Sequence, residues 1–172
     1  GGGAVLTGPW MLGLSAALPP EHPLVSVGLV GSYRWLGELI AQSLQACGVP
    51  AIPVSPQMLR ACAGTGEITG PPWACFGGLS PWEVVSQGRK IVGLAQVRRS
   101  QGVLLVGGVL LDQPPWALLC LALARPAHDA QQLAETTIHC RSASTGAFDA
   151  AAFEQHLNLA LRQRLLPESC NA

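Results

Sequence analysis

The sequence predicts a mixed α+β domain built around one central sheet. Three β-rich runs follow one another between residues 82 and 111, separated by short turns, and they indicate an antiparallel meander. An amphipathic helical pattern precedes the meander, and helical patterns dominate the chain after Pro114. The length of 172 residues suits one domain of ordinary size. We therefore expect a sheet from the middle of the chain, flanked by helices.

The first third of the chain predicts a glycine-rich turn, a strand and a helix. The turn, "GGGAVLTG", leads into a short strand, and Met11–Leu18 is apolar enough to be a buried strand, with a helix as the alternative. Ser32–Cys47 has apolar residues at i, i+3 and i+4 spacing. We expect Ser32 to be the N-cap of this helix and Gly48 to stop it.

The rest of the chain divides into the meander and a helical C-terminal part. Before the meander, residues 51–55 predict a short strand and residues 60–74, rich in glycine and proline, a loop. The predicted strands are Glu83–Val85, Lys90–Arg98 and Val103–Leu111, and the predicted helices are Trp116–Ala124, His128–Thr136 and Asp149–Leu165, the last capped by Asp149.

Composition argues against several classes of function. Charged residues make up 12% of the chain, about half the usual share, the formal net charge is zero, and no basic cluster is present, so nucleic acid and membranes are not expected partners. The longest apolar run, Trp116–Ala124, is far shorter than the roughly 20 residues of a membrane span. Six scattered cysteines without a C-x-x-C pair predict buried thiols in the cytoplasm rather than a metal site.

Lys90 is the only lysine beside nine arginines, and it stands in the apolar run "GRKIVGLAQ". The simplest interpretation is a solvated charge at a sheet edge. The alternative is an inward ammonium that is partly desolvated and polarises a carbonyl or holds an anionic oxygen. Gly88 and Gly93 flank it, and glycine in a strand often allows a ligand or another backbone to approach closely.

Cys75, in "WACFGG", is the second candidate for chemistry. By itself it is best interpreted as a packed thiol beneath a loop, but a nucleophile facing a cleft is the alternative. A nearby cation lowers the pKa of a thiol, and Lys90 could supply that charge. The opening "GGGAV" offers a weaker candidate, because consecutive glycines expose backbone N–H groups to a ligand.

Taken together, three segments resemble the biotin/lipoate protein ligase and octanoyltransferase superfamily. They are "GGGAVL" at residues 1–6, "CF" at 75–76 and "GRKIVGLAQVRR…GVLL" at 88–105, and their order and spacing match over most of the chain. Within that superfamily, the cysteine–phenylalanine pair some fifteen residues before the lysine resembles the cysteine-dependent octanoyltransferases. The resemblance implies a single catalytic domain over residues 1–172, with further N-terminal strands expected before Gly1.

The resemblance also implies roles for individual residues. Cys75 matches the cysteine that accepts octanoate as a thioester, and Lys90 matches the lysine that contacts the acyl carbonyl or an adenylate. The implied donor is acyl carrier protein and the acceptor a lysine of a lipoyl carrier domain, with no cofactor. Lys90→Ala is expected to abolish transfer and leave the fold intact. The implied substrate-binding residues are Gly1, Gly2, Gly3, Ala4, Val5, Gly88, Gly93, Ala95 and Gln96.

Two positions depart from the superfamily pattern. Thr7, and Gly107 within Gly107-Gly108-Val109, stand where many relatives have histidine. These departures suggest a non-catalytic binder of acyl chains or lipoyl domains as the third interpretation. Within the superfamily, an ATP-dependent lipoate–protein ligase, which requires ATP and Mg²⁺, is the second.

Overall fold

A computed structural model describes residues 3–62 and 69–166 of the chain. Its central element is a five-stranded antiparallel sheet with the strand order β1-β5-β4-β3-β2. The strands are β1 (Met11–Leu18), β2 (Ile52–Pro53), β3 (Val84–Ser86), β4 (Arg89–Arg99) and β5 (Gly102–Leu110). The helices are α1 (Gly28–Ala46), α2 (Pro56–Cys62), α3 (Trp116–Ala122), α4 (Ala127–Thr136), α5 (Cys140–Ala143) and α6 (Ala150–Leu165).

The predicted meander is confirmed as the consecutive antiparallel strands β3, β4 and β5. β3 and β4 are joined by a tight turn in which Gln87 has φ 50° and Gly88 has φ 73°. Two successive positive φ angles favour glycine and match the right-handed twist of the flanking strands. The long predicted helices also form, and the Oδ1 atom of Asp149 accepts the N–H groups of Ala151 and Ala152, at 2.9 and 3.1 Å, as the cap of α6.

Several predicted boundaries were wrong. α1 begins at Gly28, one turn before Ser32, which is buried inside the helix and donates its hydroxyl to Val25 O at 3.0 Å. Two glycines in the first turn, Gly28 and Gly31, lower the helical propensity and hid the true start. Met11–Leu18 is a strand at the edge of the sheet, where Ala16 is its one buried residue.

The predicted loop at residues 60–74 and the opening turn also need correction. Residues 60–62 end the helix α2, and residues 63–68 of the predicted loop lie outside the described part of the chain. The Ser55-Pro56 pair is a helix start signal, but seven residues are too few for a helical periodicity to be recognised. At the N-terminus the predicted strand is a single parallel bridge between Ala4 and Ala74. The four-residue helix α5 was not predicted.

The sheet separates two clusters of buried side chains. The larger cluster packs α1 and α6 against one face and includes Leu36, Phe153 and Val92. The smaller cluster, called here the site cluster, contains Ala74, Phe76, Leu110, Trp116, Leu119 and Leu133. Successive residues of a strand point to opposite faces, and Gly93, the neighbour of Val92, faces the Phe76 ring. The site cluster therefore covers the face opposite α1 and α6.

None of the helices described is long and apolar enough to cross a membrane.

Candidate active site

Lys90 is a buried lysine at the beginning of β4, with 1% of its side chain exposed. Its Nζ atom donates to Cys75 O at 2.9 Å and to Gly78 O at 2.8 Å, and lies 2.8 Å from Glu83 Oε2. An ammonium group has three N–H donors, so each has an acceptor within the protein. Because an ammonium is costly to bury without such partners, this arrangement accounts for its burial and rules out the solvated edge charge.

A β-bulge directs Lys90 toward the site cluster. Val84 pairs with Val92 while Val85 pairs with Lys90, so β4 has one extra residue, Ile91, at this point. Ile91 and Val92 both pack in the larger cluster, whereas the Cε atom of Lys90 lies on the face of Gly93. A bulge commonly re-aims a side chain in this way near a functional site.

Glu83 is a site residue that sequence analysis did not identify. Its side chain is 3% exposed, and its two carboxylate oxygens have different partners. Oε2 accepts the N–H of Ser80 at 2.7 Å and faces Lys90, and Oε1 accepts the N–H of Leu94 at 3.0 Å. The sequence did contain a signal for Glu83, since it is an acidic residue within the apolar run "WEVV". A carboxylate buried in such a run requires a partner, which indicates an ion pair.

Cys75 lies on a loop over the sheet, and its side chain is half-buried. We call residues 69–83 the Cys75 loop. The backbone N–H of Cys75 donates to Ala4 O at 2.8 Å, while its carbonyl oxygen accepts from Lys90. Lys90 is thus joined directly to the residue that sequence analysis paired with it.

The pKa of the Cys75 thiol is raised above its ordinary value. Burial is the largest cause, since it disfavours the thiolate; the charge of Lys90 lowers the pKa, and the charge of Glu83 raises it. Lys90 therefore acts in the predicted direction, but burial and Glu83 outweigh it. At neutral pH the thiol is protonated in this state.

Close backbone packing and one aromatic ring hold the Cys75 loop in place. A Cβ atom at Gly77 would lie 1.9 Å from Pro71 O, so this approach requires glycine. The Phe76 ring packs over the glycine position of β4, where a Cβ at Gly93 would be 3.4 Å from its Cζ. The Lys90 Nζ atom lies 5.3 Å from the centre of the same ring, within cation–π range. Gly93 therefore leaves room for Phe76 and for the Lys90 chain.

The glycine-rich N-terminal segment lies beside the Cys75 loop. A Cβ at Gly3 would be 2.2 Å from Trp73 O, and Ala4 donates its N–H to the same carbonyl oxygen at 2.8 Å. Gly3 and Ala4 thus adjoin Cys75, whereas the Val5 side chain is exposed. Gly1 and Gly2, also predicted to bind substrate, lie outside the described residues.

The other predicted substrate-binding residues lie farther along β4 or in its turn. Gly88 occupies the exposed β3–β4 turn, and a Cβ atom there would meet nothing within 4 Å. Ala95 and Gln96 line a cavity of about 250 Å³ between the start of α1, the Cys75 loop and β4; its remaining lining residues are Leu29, Val30, Tyr33, Ser80, Pro81 and Leu94. Neither Cys75 nor Lys90 is among the lining residues.

The two departures from the superfamily pattern have different surroundings. Thr7 is exposed. Gly107 is buried in β5, and a Cβ there would lie 3.2 Å from the Cγ atom of Leu14. A larger residue at 107 would therefore require Leu14 to move.

No protein-family model matches this sequence. Three curated proteins named octanoyltransferase LipM are similar to it. The protein from Kyrpidia tusciae is 32% identical over 108 residues, which are 62% of this chain and 38% of that protein. The protein from Moorella thermoacetica is 35% identical over 91 residues, 53% of this chain and 31% of that protein. The matches thus span 31% to 38% of the length of these relatives.

Solved structures of ligases share the fold. The bi-partite lipoate protein ligase from Thermoplasma acidophilum matches with a TM-score of 0.61 and 18% identity, over 96% of this chain and 55% of that one. Lipoate-protein ligase A bound with ATP matches with a TM-score of 0.63 and 17% identity, over 96% and 56%. The chain thus has the catalytic fold of lipoate and biotin protein ligases, over about half of those chains, and the resemblance predicted from its motifs is confirmed.

Proposed function

We propose that the protein is an acyltransferase of protein lipoylation, which accepts an octanoyl or lipoyl group on Cys75 and passes it to a lysine of a lipoyl carrier domain. The observation that carries the proposal is the direct bond between the buried ammonium of Lys90 and the carbonyl of Cys75. This hydrogen bond brings the residue that carries the half-buried thiol next to a positively charged side chain, where the Cys75 loop meets the sheet. Similarity to octanoyltransferases supports the same chemistry.

In the first step, the Cys75 sulfur attacks the carbonyl carbon of an acyl thioester on acyl carrier protein. A new carbon–sulfur bond forms, the bond to the donor sulfur breaks, and the donor leaves as a thiol with the proton from Cys75. Positive charge at Lys90 stabilises the thiolate and the oxyanion that develops. Because all three Lys90 donors are occupied here, direct contact with that oxyanion requires it to replace the carbonyl of Cys75 or Gly78.

In the second step, the neutral amine of the carrier lysine attacks the Cys75 thioester. An amide bond forms, the bond to the Cys75 sulfur breaks, and the thiol regains a proton from the amine. One thioester is exchanged for another and then for an amide, so no ATP or other cofactor is needed. Residues 1–172 are proposed to belong to a single catalytic domain.

The cavity beside Ala95 and Gln96 is the proposed place for the distal part of the acyl chain, and because Cys75 does not line it, the thioester itself would lie outside the cavity. Its wall includes the apolar side chains of Leu29, Val30 and Leu94. Each buried CH₂ group contributes about 0.8 kcal/mol, so a pocket that fits eight carbons would discriminate against much shorter chains by several kcal/mol.

The test is to incubate the full-length protein with octanoyl acyl carrier protein in the absence of ATP and to measure its intact mass. We expect one octanoyl adduct that maps to Cys75 and moves to a lipoyl domain when one is added. Cys75→Ser is expected to lose the adduct. Cys47→Ser, which changes a half-buried thiol in the larger cluster, is the matched control and is expected to keep it.

The second candidate function is an ATP-dependent lipoate–protein ligase. It is favoured by the fold shared with lipoate-protein ligase A bound with ATP. Turnover that requires ATP, Mg²⁺ and free lipoate, together with full activity of Cys75→Ser, would support the ligase over the transferase. Absence of adduct and turnover under both conditions would leave a non-catalytic binder.

A further inference from the structure

The carboxylate of Glu83 is the third acceptor of the Lys90 ammonium, and it comes from the Cys75 loop itself. Its two oxygens connect three parts of the site: Ser80 within the loop, Lys90 at the start of β4, and Leu94 farther along that strand. β3 ends its pairing with β4 at Val92. The next β4 amide on that side is the N–H of Leu94, and Glu83 supplies the acceptor that β3 no longer provides.

We propose that Glu83 is a positioning residue that locks the Cys75 loop onto β4 and whose charge offsets that of Lys90 at the Cys75 thiol, which makes the thiol less reactive in the resting protein. The inference deepens the proposed function and rests on it, because it assigns Glu83 a role in preparing the proposed nucleophile. Glu83 acts through Lys90 and the loop and has no assigned contact with substrate.

Burial decides how strongly the Glu83 charge acts. Both Lys90 and Glu83 are nearly inaccessible to solvent, at 1% and 3% exposure, so water and salt screen their charges little. A full negative charge beside a full positive charge leaves little net field at a group near both. Removing the carboxylate charge would leave the Lys90 ammonium to act on Cys75 alone.

The titratable groups near Cys75 come from three elements. Lys90 on β4 lowers the pKa of its thiol, and Glu83 in the loop raises it. Tyr33 on α1 is near enough that a Cys75 thiolate contributes to its raised pKa, which burial mainly causes. Trp73 connects the loop to α4 by donating to Asp129 at 2.7 Å. Among these groups, Glu83 is the one that opposes Lys90 at Cys75.

The experiment measures the rate at which iodoacetamide alkylates Cys75 as a function of pH, in folded protein with Cys47 already replaced by serine. The midpoint of the profile reports the ionisation of the thiol. We expect Glu83→Gln to move the midpoint down by roughly one pH unit, as for loss of one nearby charge at an effective dielectric constant of about 20. Glu154→Gln, on the exposed side of α6, is the charge-matched control and is expected to leave it unchanged.

Glu83→Asp separates the charge from the packing. Aspartate keeps the charge but its shorter side chain cannot reach both Ser80 and Leu94, so we expect its midpoint to stay closer to that of the unmodified protein than the midpoint of Glu83→Gln. If the loop were merely loosened, aspartate would lower the midpoint at least as far as glutamine, because exposure of the thiol also lowers its pKa. That result, or an unshifted Glu83→Gln, would overturn the proposal.

Lys90→Met provides a second route if Glu83→Gln does not fold. Loss of the Lys90 charge by itself is expected to raise the midpoint, so the role of Glu83 is tested by adding Glu83→Gln to Lys90→Met. The double variant is expected to have a lower midpoint than Lys90→Met, and equal midpoints would contradict the proposal. Alkylation requires no acyl donor. The two proposals can therefore fail separately. If no octanoyl adduct forms but the midpoints shift as expected, the proposed function is wrong. If the adduct forms but the midpoints do not shift, only the role of Glu83 is wrong.

Discussion

Lys90 and Glu83 form an ion pair between two side chains that are almost fully buried. Such pairs gain little net stability over an apolar pair, yet removing one partner leaves the other charge buried alone. The sequence suggested that Lys90→Ala would leave the fold intact. The structure revises that expectation, because the variant would strand the Glu83 carboxylate and vacate the space beneath Phe76.

We expect Lys90→Met to lower the free energy of unfolding by roughly 3–5 kcal/mol, the usual cost of breaking a buried pair. Adding Glu83→Gln removes the stranded charge, so the double variant should be more stable than Lys90→Met. Urea unfolding monitored by circular dichroism measures both.

Glu38→Gln, which breaks an exposed ion pair, is the control for the Lys90 and Glu83 variants. The pair of Arg34 and Glu38 has a similar distance, 2.8 Å, but is exposed to solvent. Its loss should change the free energy of unfolding by about 1 kcal/mol or less. A double variant less stable than Lys90→Met alone would contradict the burial argument.

At the scale of elements, the Cys75 loop depends on backbone contacts rather than on regular secondary structure. Gly70 donates its N–H to Gly77 O at 2.6 Å, and Ala74 donates to Pro71 O at 3.0 Å. The glycine and proline content of residues 60–74 predicted a loop there but could not predict the path of the chain, since composition carries no information about which segments meet. Gly77 and Gly78 are neighbours in the sequence, yet Gly77 packs closely against the backbone and Gly78 does not.

We expect Gly77→Ala to destabilise the protein by roughly 1–3 kcal/mol, as for an overpacked interior position. Its Cβ would lie 1.9 Å from the backbone oxygen of Pro71, which cannot move without moving the loop. Gly78→Ala meets nothing within 4 Å and should be neutral or slightly stabilising.

Thermal unfolding of the two variants, together with octanoyl adduct formation, measures the effect on the loop. Equal melting temperatures for Gly77→Ala and Gly78→Ala would show that the loop does not require the close approach at Pro71.

At the scale of the whole molecule, the sheet separates a cluster that maintains the fold from a cluster that positions the site. Phe153 of α6 is fully buried in the larger cluster, and Phe76 is 2% exposed in the site cluster, where Cys75 packs against it. The two phenylalanines therefore offer equal chemical changes on opposite faces of one sheet.

We expect Phe76→Ala to raise the rate of Cys75 alkylation several-fold at a fixed pH under native conditions, because the loop loses its main apolar contact. Phe153→Ala should lower the free energy of unfolding by roughly 3–5 kcal/mol and leave the alkylation rate near that of the unmodified protein. Mass spectrometry of the alkylated protein and urea unfolding provide the two measurements. Equal acceleration by both variants would mean that the faces are not independent.

Local sequence patterns were enough to predict the classes of the main elements, and the sequence also pointed to the two residues at the centre of the candidate site. The meander and the long helices follow from local periodicity, which repeats within a few residues and needs no tertiary information. Lys90 stood out because a single lysine in an apolar strand is unusual in so weakly charged a chain. Cys75 by itself was best interpreted as a packed thiol, and the resemblance to the cysteine-dependent octanoyltransferases made it the candidate nucleophile.

The surroundings of Cys75 and Lys90 depend on how distant segments of the chain pack together. The bulge at Ile91, the partnership of Lys90 with Glu83 and the burial that raises the pKa of Cys75 all depend on segments distant in sequence or on strand register. A bulge of one residue reverses the face of a side chain, and burial depends on every element that packs nearby. Neither is encoded in a local pattern, so the chemistry of the site became visible only once the sheet and loop were assembled.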